Sequence, residues 1–121
     1  MDCMKDVVKI RINKEVRDML EEYIVENRLY REKVTIKNLG SEIVREWIKN
    51  PVLDKKLIVT TTKKVRNGMF GFSLTEDENI ELNKIFVNEY IRECRTLSVL
   101  IHNIILQFLH QNYKDFNIDE V

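Results

Sequence analysis

Apolar and polar positions alternate strictly in one short stretch near the start of the chain, Val7 to Asn13. Val8, Ile10 and Ile12 would project to one side of a strand, and Val7, Lys9 and Arg11 to the other. A strand of this length needs a partner for its ladder and for its apolar face. At Asn13, a candidate N-cap, the period changes. Val16, Met19, Leu20, Tyr23 and Ile24 recur at helical spacing, predicting a helix to about Arg28 with Glu15, Asp18, Glu21, Glu22 and Glu26 toward solvent. Leu29 to Val34 has no clean period and predicts a loop. Thr35 is placed to cap a second helix whose apolar positions are Ile36, Leu39, Ile43, Val44, Trp47 and Ile48. Gly40 disfavours that helix by about 1 kcal/mol and so marks a close helix contact. Asn50-Pro51 ends it, because a residue preceding proline is pushed out of the α region.

Leu57 to Thr62, LIVTTT, reads equally as a strand by propensity or as part of an extended linker. Asn67-Gly68 is a turn signal. The opening alternation then returns, with Phe70, Phe72 and Leu74 on one side and Met69, Gly71 and Ser73 on the other. Thr75 and Glu78 have capping-box spacing, and the helix they open carries Leu82, Ile85, Phe86 and Tyr90. Arg95-Thr96 opens a last helix with Leu97, Leu100, Ile101, Ile104, Ile105, Phe108 and Leu109 on one face. The tail from Tyr113 to Val121 reads as frayed or partner-seeking.

The two halves repeat one another. Ile12 matches Leu74 and Leu20 matches Leu82 at an offset of 62; Thr35 matches Thr96, Leu39 matches Leu100, Val44 matches Ile105 and Trp47 matches Phe108 at 61. A strand-helix-helix unit of this size cannot bury a core alone. The expected architecture is therefore mainly α, with a short two-stranded antiparallel β-ribbon over four helices in a single-chain pseudo-dimer. Its segments are a first unit at 1–50, a basic linker at 51–68 (with an extra strand as the alternative reading), a second unit at 69–113 and an acidic tail at 114–121.

Composition adds that 121 residues, 44% hydrophobic and 33% charged, describe one small globular domain. The formal net charge is zero but unevenly spread: 51–68 has five Lys/Arg against one Asp, and 69–121 has four Lys/Arg against nine Asp/Glu. Cys3 and Cys94 have neither disulfide nor metal spacing and read as reduced thiols. The early charges of Asp2 and Lys5 argue against a signal peptide, and the longest apolar run is too short for a bilayer, so a cytoplasmic location without membrane contact is expected. His102 and His110 have no ligand partners at metal spacing. Glu76, Asp77 and Glu78 are accounted for by the helix start. With no nucleophile elbow, phosphate loop or metal cluster, neither catalytic residue, metal nor cofactor is expected.

The run Val8-Lys9-Ile10-Arg11-Ile12-Asn13-Lys14-Glu15-Val16, followed by Ser41-Glu42-Ile43-Val44-Arg45-Glu46, resembles the strand, first helix and second helix of the ribbon-helix-helix family of DNA-binding proteins, the Arc and MetJ type. Phe72-Ser73-Leu74-Thr75-Glu76-Asp77 is a looser match, and two copies in one chain resemble the tandem TraY type that acts at plasmid transfer origins. The resemblance covers all but the linker and tail. It implies a ribbon in the major groove of double-stranded DNA, with Val7, Lys9, Arg11, Met69, Gly71 and Ser73 facing the bases. Lys9 and Arg11 suit guanine acceptors, and Val7 a thymine methyl. It further implies phosphate contacts at the N-termini of the second helices, around Thr35, Ile36 and Lys37 and around Thr96 and Leu97. Gly71 and the absence of a cation on the second strand depart from the family's pattern. Lys55, Lys56, Lys63, Lys64 and Arg66 are candidates for compensating phosphate contact.

The expected role is a transcriptional repressor or a plasmid-transfer (conjugation) accessory factor, self-associating on DNA in the extended form of the reading. The competing role is a protein-interaction module, an antitoxin or assembly adaptor, in which the acidic C-terminal half binds a protein partner.

Overall fold

The structure, a computed structural model, describes residues 5–62, 68–113, 116–118 and 121. Its order is β1 (Lys5–Ile12), α1 (Lys14–Glu26), a 3-10 turn (Leu29–Glu32), α2 (Ile36–Lys49), a second 3-10 turn (Lys55–Leu57), β2 (Gly68–Thr75), α3 (Glu76–Ile85), a π-helical turn (Phe86–Tyr90), α4 (Ile91–Cys94) and α5 (Leu97–Asn112). The chain is mainly helical, with one two-stranded antiparallel sheet formed by β1 and β2.

The ribbon's two faces follow from the alternation in each strand. Ile10, Ile12, Phe70, Phe72 and Leu74 are buried beneath it, with Val8 half-buried, and they join one core with Val16, Leu20, Val44, Leu82, Leu100 and Ile105. The register sets Val8 opposite Phe72, Lys9 opposite Gly71 and Ile10 opposite Phe70. The second helix of each half packs against the strand of the other half: α2 lies against β2, and α5 touches β1.

Local signals in the sequence have direct counterparts. Asn13 accepts the Glu15 N–H at 2.8 Å, and Thr35, Thr75 and Thr96 each accept the N–H of the third residue beyond them. At Thr75 the box closes, because Glu78 Oε1 accepts the Thr75 N–H at 2.8 Å. Gly40 does mark a close approach, though to the ribbon and not to another helix: a Cβ there would run into the Phe70 ring. Next to it, buried Ser41 accepts the Ser73 N–H at 3.0 Å while donating to the Lys37 carbonyl at 3.0 Å, which ties α2 to the backbone of β2.

Two expectations need correction. The helix after Thr75 is not continuous α. Its buried residues Leu82, Phe86, Tyr90 and Cys94 recur every four residues, a spacing that drifts about 40° per step on an α-helix. The wider π-helical turn at Phe86–Tyr90 absorbs the drift and keeps these side chains on the core. The second correction concerns the tail: among its described residues Ile118 and Val121 are buried and Phe116 packs on the core. Their apolar side chains outweigh the neighbouring acids.

Residues 51–62 contain no strand. They run from the end of α2 along α5 toward its N-terminus, and side chains bind them at each step. Trp47 donates its indole N–H to the Val52 carbonyl at 3.2 Å. The Tyr90 hydroxyl accepts the Leu53 N–H at 2.9 Å and donates to the Pro51 carbonyl at 3.1 Å. Gln107 and Asn103, one turn apart on α5, hold the backbones of Asp54 and Val59. Within LIVTTT, the Asn103 amide takes both backbone hydrogen bonds of Val59 that a neighbouring strand would supply. Among the described residues no helix is long and apolar enough to cross a membrane.

Candidate functional site

The six residues expected on the outer face of the ribbon are brought together there. They stand in three opposed pairs: Val7 with Ser73, Lys9 with Gly71, and Arg11 with Met69. Successive pairs on the same face lie about 7 Å apart along a strand. Val7 is 56% exposed and Met69 55%, Lys9 and Arg11 are exposed, and Gly71 and Ser73 are half-buried. Among the described residues neither Lys9 nor Arg11 enters an ion pair. The strip offers an ammonium, a guanidinium, two apolar side chains and a hydroxyl to whatever lies against it. It can donate hydrogen bonds to paired acceptors, contact methyl groups and attract anions.

The strip is held from below. The Phe70 and Phe72 rings, 5.9 Å apart, lie under it, and the Ser41 hydroxyl fixes the backbone at Ser73. Arg45 of α2 meets Glu78 of α3 at 2.8 Å, tying α2 to the helix that follows β2. Burial raises the Glu78 pKa, but the Thr75 N–H and the Arg45 charge prevail and hold it below the usual carboxylate value.

Both helix starts expected to bind anions are capped N-termini. Thr35, Lys37 and Thr96 are exposed, and Ile36 and Leu97 half-buried. Capping uses the N–H of Asn38 and of Val99; the N–H groups before them lack intrahelical acceptors, as at any helix start. Lys37 lines a surface groove with Ser41, Arg45 and Ser73, so the start of α2 borders the Val7–Ser73 end of the ribbon.

The linker cations divide. Lys55 is committed within the fold, with Nζ 3.0 Å from Glu93 Oε1 and 5.8 Å above the Tyr90 ring. Lys56 is exposed, its N–H held by the Asp54 side chain at 3.0 Å. Lys63, Lys64 and Arg66 lie outside the described residues. His102 is buried within α5, and His110 is exposed at its end.

Sequence reading missed the residues that hold the linker. Their signal is present: Asn103 and Gln107 are amides four residues apart on a helix otherwise apolar around that face, where an unsatisfied amide would be costly. No family model matches the chain, and no curated protein or solved structure matches it.

Proposed function

We propose that this chain is a sequence-specific double-stranded DNA-binding protein of ribbon-helix-helix type, a tandem pseudo-dimer that lays its ribbon in the major groove. In the cytoplasm it acts as a transcriptional repressor or a plasmid-transfer accessory factor. The observation that carries this reading is the outer strip. Six residues from strands about 60 positions apart form one face with two exposed cations and two exposed apolar side chains over a largely buried underside. A two-stranded ribbon fits a groove about 12 Å wide.

The pseudo-dimer is supported by the register. Lys9 and Gly71 are equivalent under the repeat offset of 62, and they stand opposite each other. The Val8–Phe72 and Ile10–Phe70 pairs exchange under the same offset, as a two-fold axis through Lys9 and Gly71 requires. The crossed packing of α2 on β2 and α5 on β1 agrees with it.

Binding of the full chain to duplexes selected from a random pool tests the reading. Lys9→Ala with Arg11→Ala is expected to abolish preference for the selected site, each guanine-directed contact being worth about 1–3 kcal/mol of discrimination. If that variant still selects the same site normally, the ribbon is not the reading surface. If the chain binds no DNA at low salt, the protein-interaction role of the acidic C-terminal half takes its place.

A further inference from the structure

The outer strip changes character along its length. At one end Arg11 faces Met69, in the middle Lys9 faces Gly71, and at the other end Val7 faces Ser73. Under the offset of 62, Met69 is the counterpart of Val7, Gly71 of Lys9, and Ser73 of Arg11. Two equal halves would show an Arg beside a Val at both ends and two lysines in the middle. Within these three described pairs this chain has one guanidinium at one end, one ammonium in the middle, and neither at the Val7–Ser73 pair.

The fold does not force that inequality. A Cβ on Gly71 would have as its nearest neighbours Lys9 Cγ and the Val8 carbonyl oxygen, both at 3.6 Å, an ordinary van der Waals distance. No glycine in the described residues has a positive φ. Gly71 thus differs from Gly40, where the Phe70 ring excludes any side chain. Ser73 is anchored through its backbone N–H, a bond that survives any non-proline substitution at the position. The bare centre and short hydroxyl of β2 are properties of the outward surface, not requirements of packing.

Resting on the DNA-binding reading, we infer that the chain recognises a directional, non-palindromic duplex site and binds it in one orientation only. The third of the site under Arg11 carries a guanine, whose O6 and N7 accept the guanidinium, with a thymine methyl against Met69. The third under Val7 and Ser73 is A·T, read by apolar contact with the thymine methyl and by a single hydroxyl. The centre is read by Lys9 alone. Such a protein marks a direction on DNA as well as a position.

Selection from a random duplex pool by the wild-type chain is expected to return one asymmetric motif, guanine-bearing at one end and A·T at the other. An inverted-repeat motif overturns the inference and leaves DNA binding standing. No enrichment over the input pool overturns both. A symmetrised ribbon, Met69→Val with Gly71→Lys and Ser73→Arg, is expected to shift preference about ten- to a hundredfold toward an inverted repeat of the Arg11 third. An unshifted preference in a variant whose unfolding curve matches wild type overturns the inference. Arg11→Ala supplies an independent reading: it should relax selectivity at the guanine-bearing end alone, and uniform relaxation along the site would count against the assignment.

Discussion

Asn103 grips the backbone of Val59 with both ends of its amide: Oδ1 accepts the Val59 N–H at 2.7 Å, and Nδ2 donates to the Val59 carbonyl at 2.9 Å. Gln107 repeats the grip one turn on, at 2.8 and 2.9 Å, with Asp54. Both side chains are buried, so removing either leaves backbone groups in a partly dry setting. Asn103→Ala is expected to destabilise the fold by about 1–3 kcal/mol, with Gln107→Ala similar, read from urea unfolding midpoints.

The same clamps set the path by which the linker returns to the ribbon. With both released, the second strand is less firmly directed to the first strand of its own chain. The double variant Asn103→Ala/Gln107→Ala is expected to populate strand-exchanged dimers as concentration rises, while the wild type does not under the same conditions. Sedimentation velocity across a concentration series checks this. An identical distribution for both proteins would mean that ribbon pairing does not depend on the clamps.

The two glycines on and under the ribbon should respond in opposite ways. Gly40→Ala gains about 1 kcal/mol of helix propensity but drives a methyl into the buried Phe70 ring. Overpacking of that kind costs about 1–3 kcal/mol, so a net loss is expected from thermal melts. Gly71→Ala meets nothing closer than 3.6 Å and should leave stability unchanged or slightly raised. A destabilising Gly71→Ala would mean that the outer face constrains the fold after all.

How far the sequence could be read follows the range of each interaction. The strands, the caps at Asn13, Thr35, Thr75 and Thr96, and the inward positions of Ile10, Phe72 and Leu74 depend on residues a few positions apart, and period and spacing reveal them. Gly40 was recognisable as a close contact, but its partner Phe70 is thirty residues away and no local pattern names it. The linker was ambiguous because its backbone is held at Leu53, Asp54 and Val59 by Tyr90, Gln107 and Asn103, which lie far along the chain. The π-helical turn was hidden because Leu82, Ile85, Phe86 and Tyr90 also fit a helical stripe, and only burial of Cys94 in the same row exposes the drift. The six outer-face residues were legible because alternation alone fixes which side each takes.

Glu78 should give the fold an acid-sensitive component. Its folded pKa lies below the ordinary 4.5, since the hydrogen bond from Thr75 and the charge of Arg45 outweigh the opposing effect of burial. A carboxylate with a depressed pKa contributes stability that is present above the unfolded value and lost as pH falls through the folded one. Urea midpoints measured from pH 6 down to pH 3 should fall less steeply for Glu78→Gln than for wild type. Arg45→Met should flatten the slope in part and leave the Thr75 contribution. Equal slopes in all three proteins would remove Glu78 as a source.

Cys94 tests whether α4 and the adjoining linker stay closed. Burial, with a smaller contribution from Glu93, pushes its thiol up to about 11, and the side chain is fully enclosed in the core. Alkylation requires an accessible thiolate, so at pH 8 the peptide containing Cys94 should label only as fast as the surrounding structure opens. Lys55→Ala removes the linker's ion pair with Glu93 and its place over Tyr90, without touching the thiol or the core. If the linker seals this corner, Lys55→Ala should speed Cys94 labelling severalfold while the global unfolding midpoint changes little, since solvent screens the pair. Labelling followed by peptide mass spectrometry reads both proteins. A rate unchanged by Lys55→Ala, or fast labelling of the wild type under native conditions, would mean that the linker is not what closes the fold over Cys94.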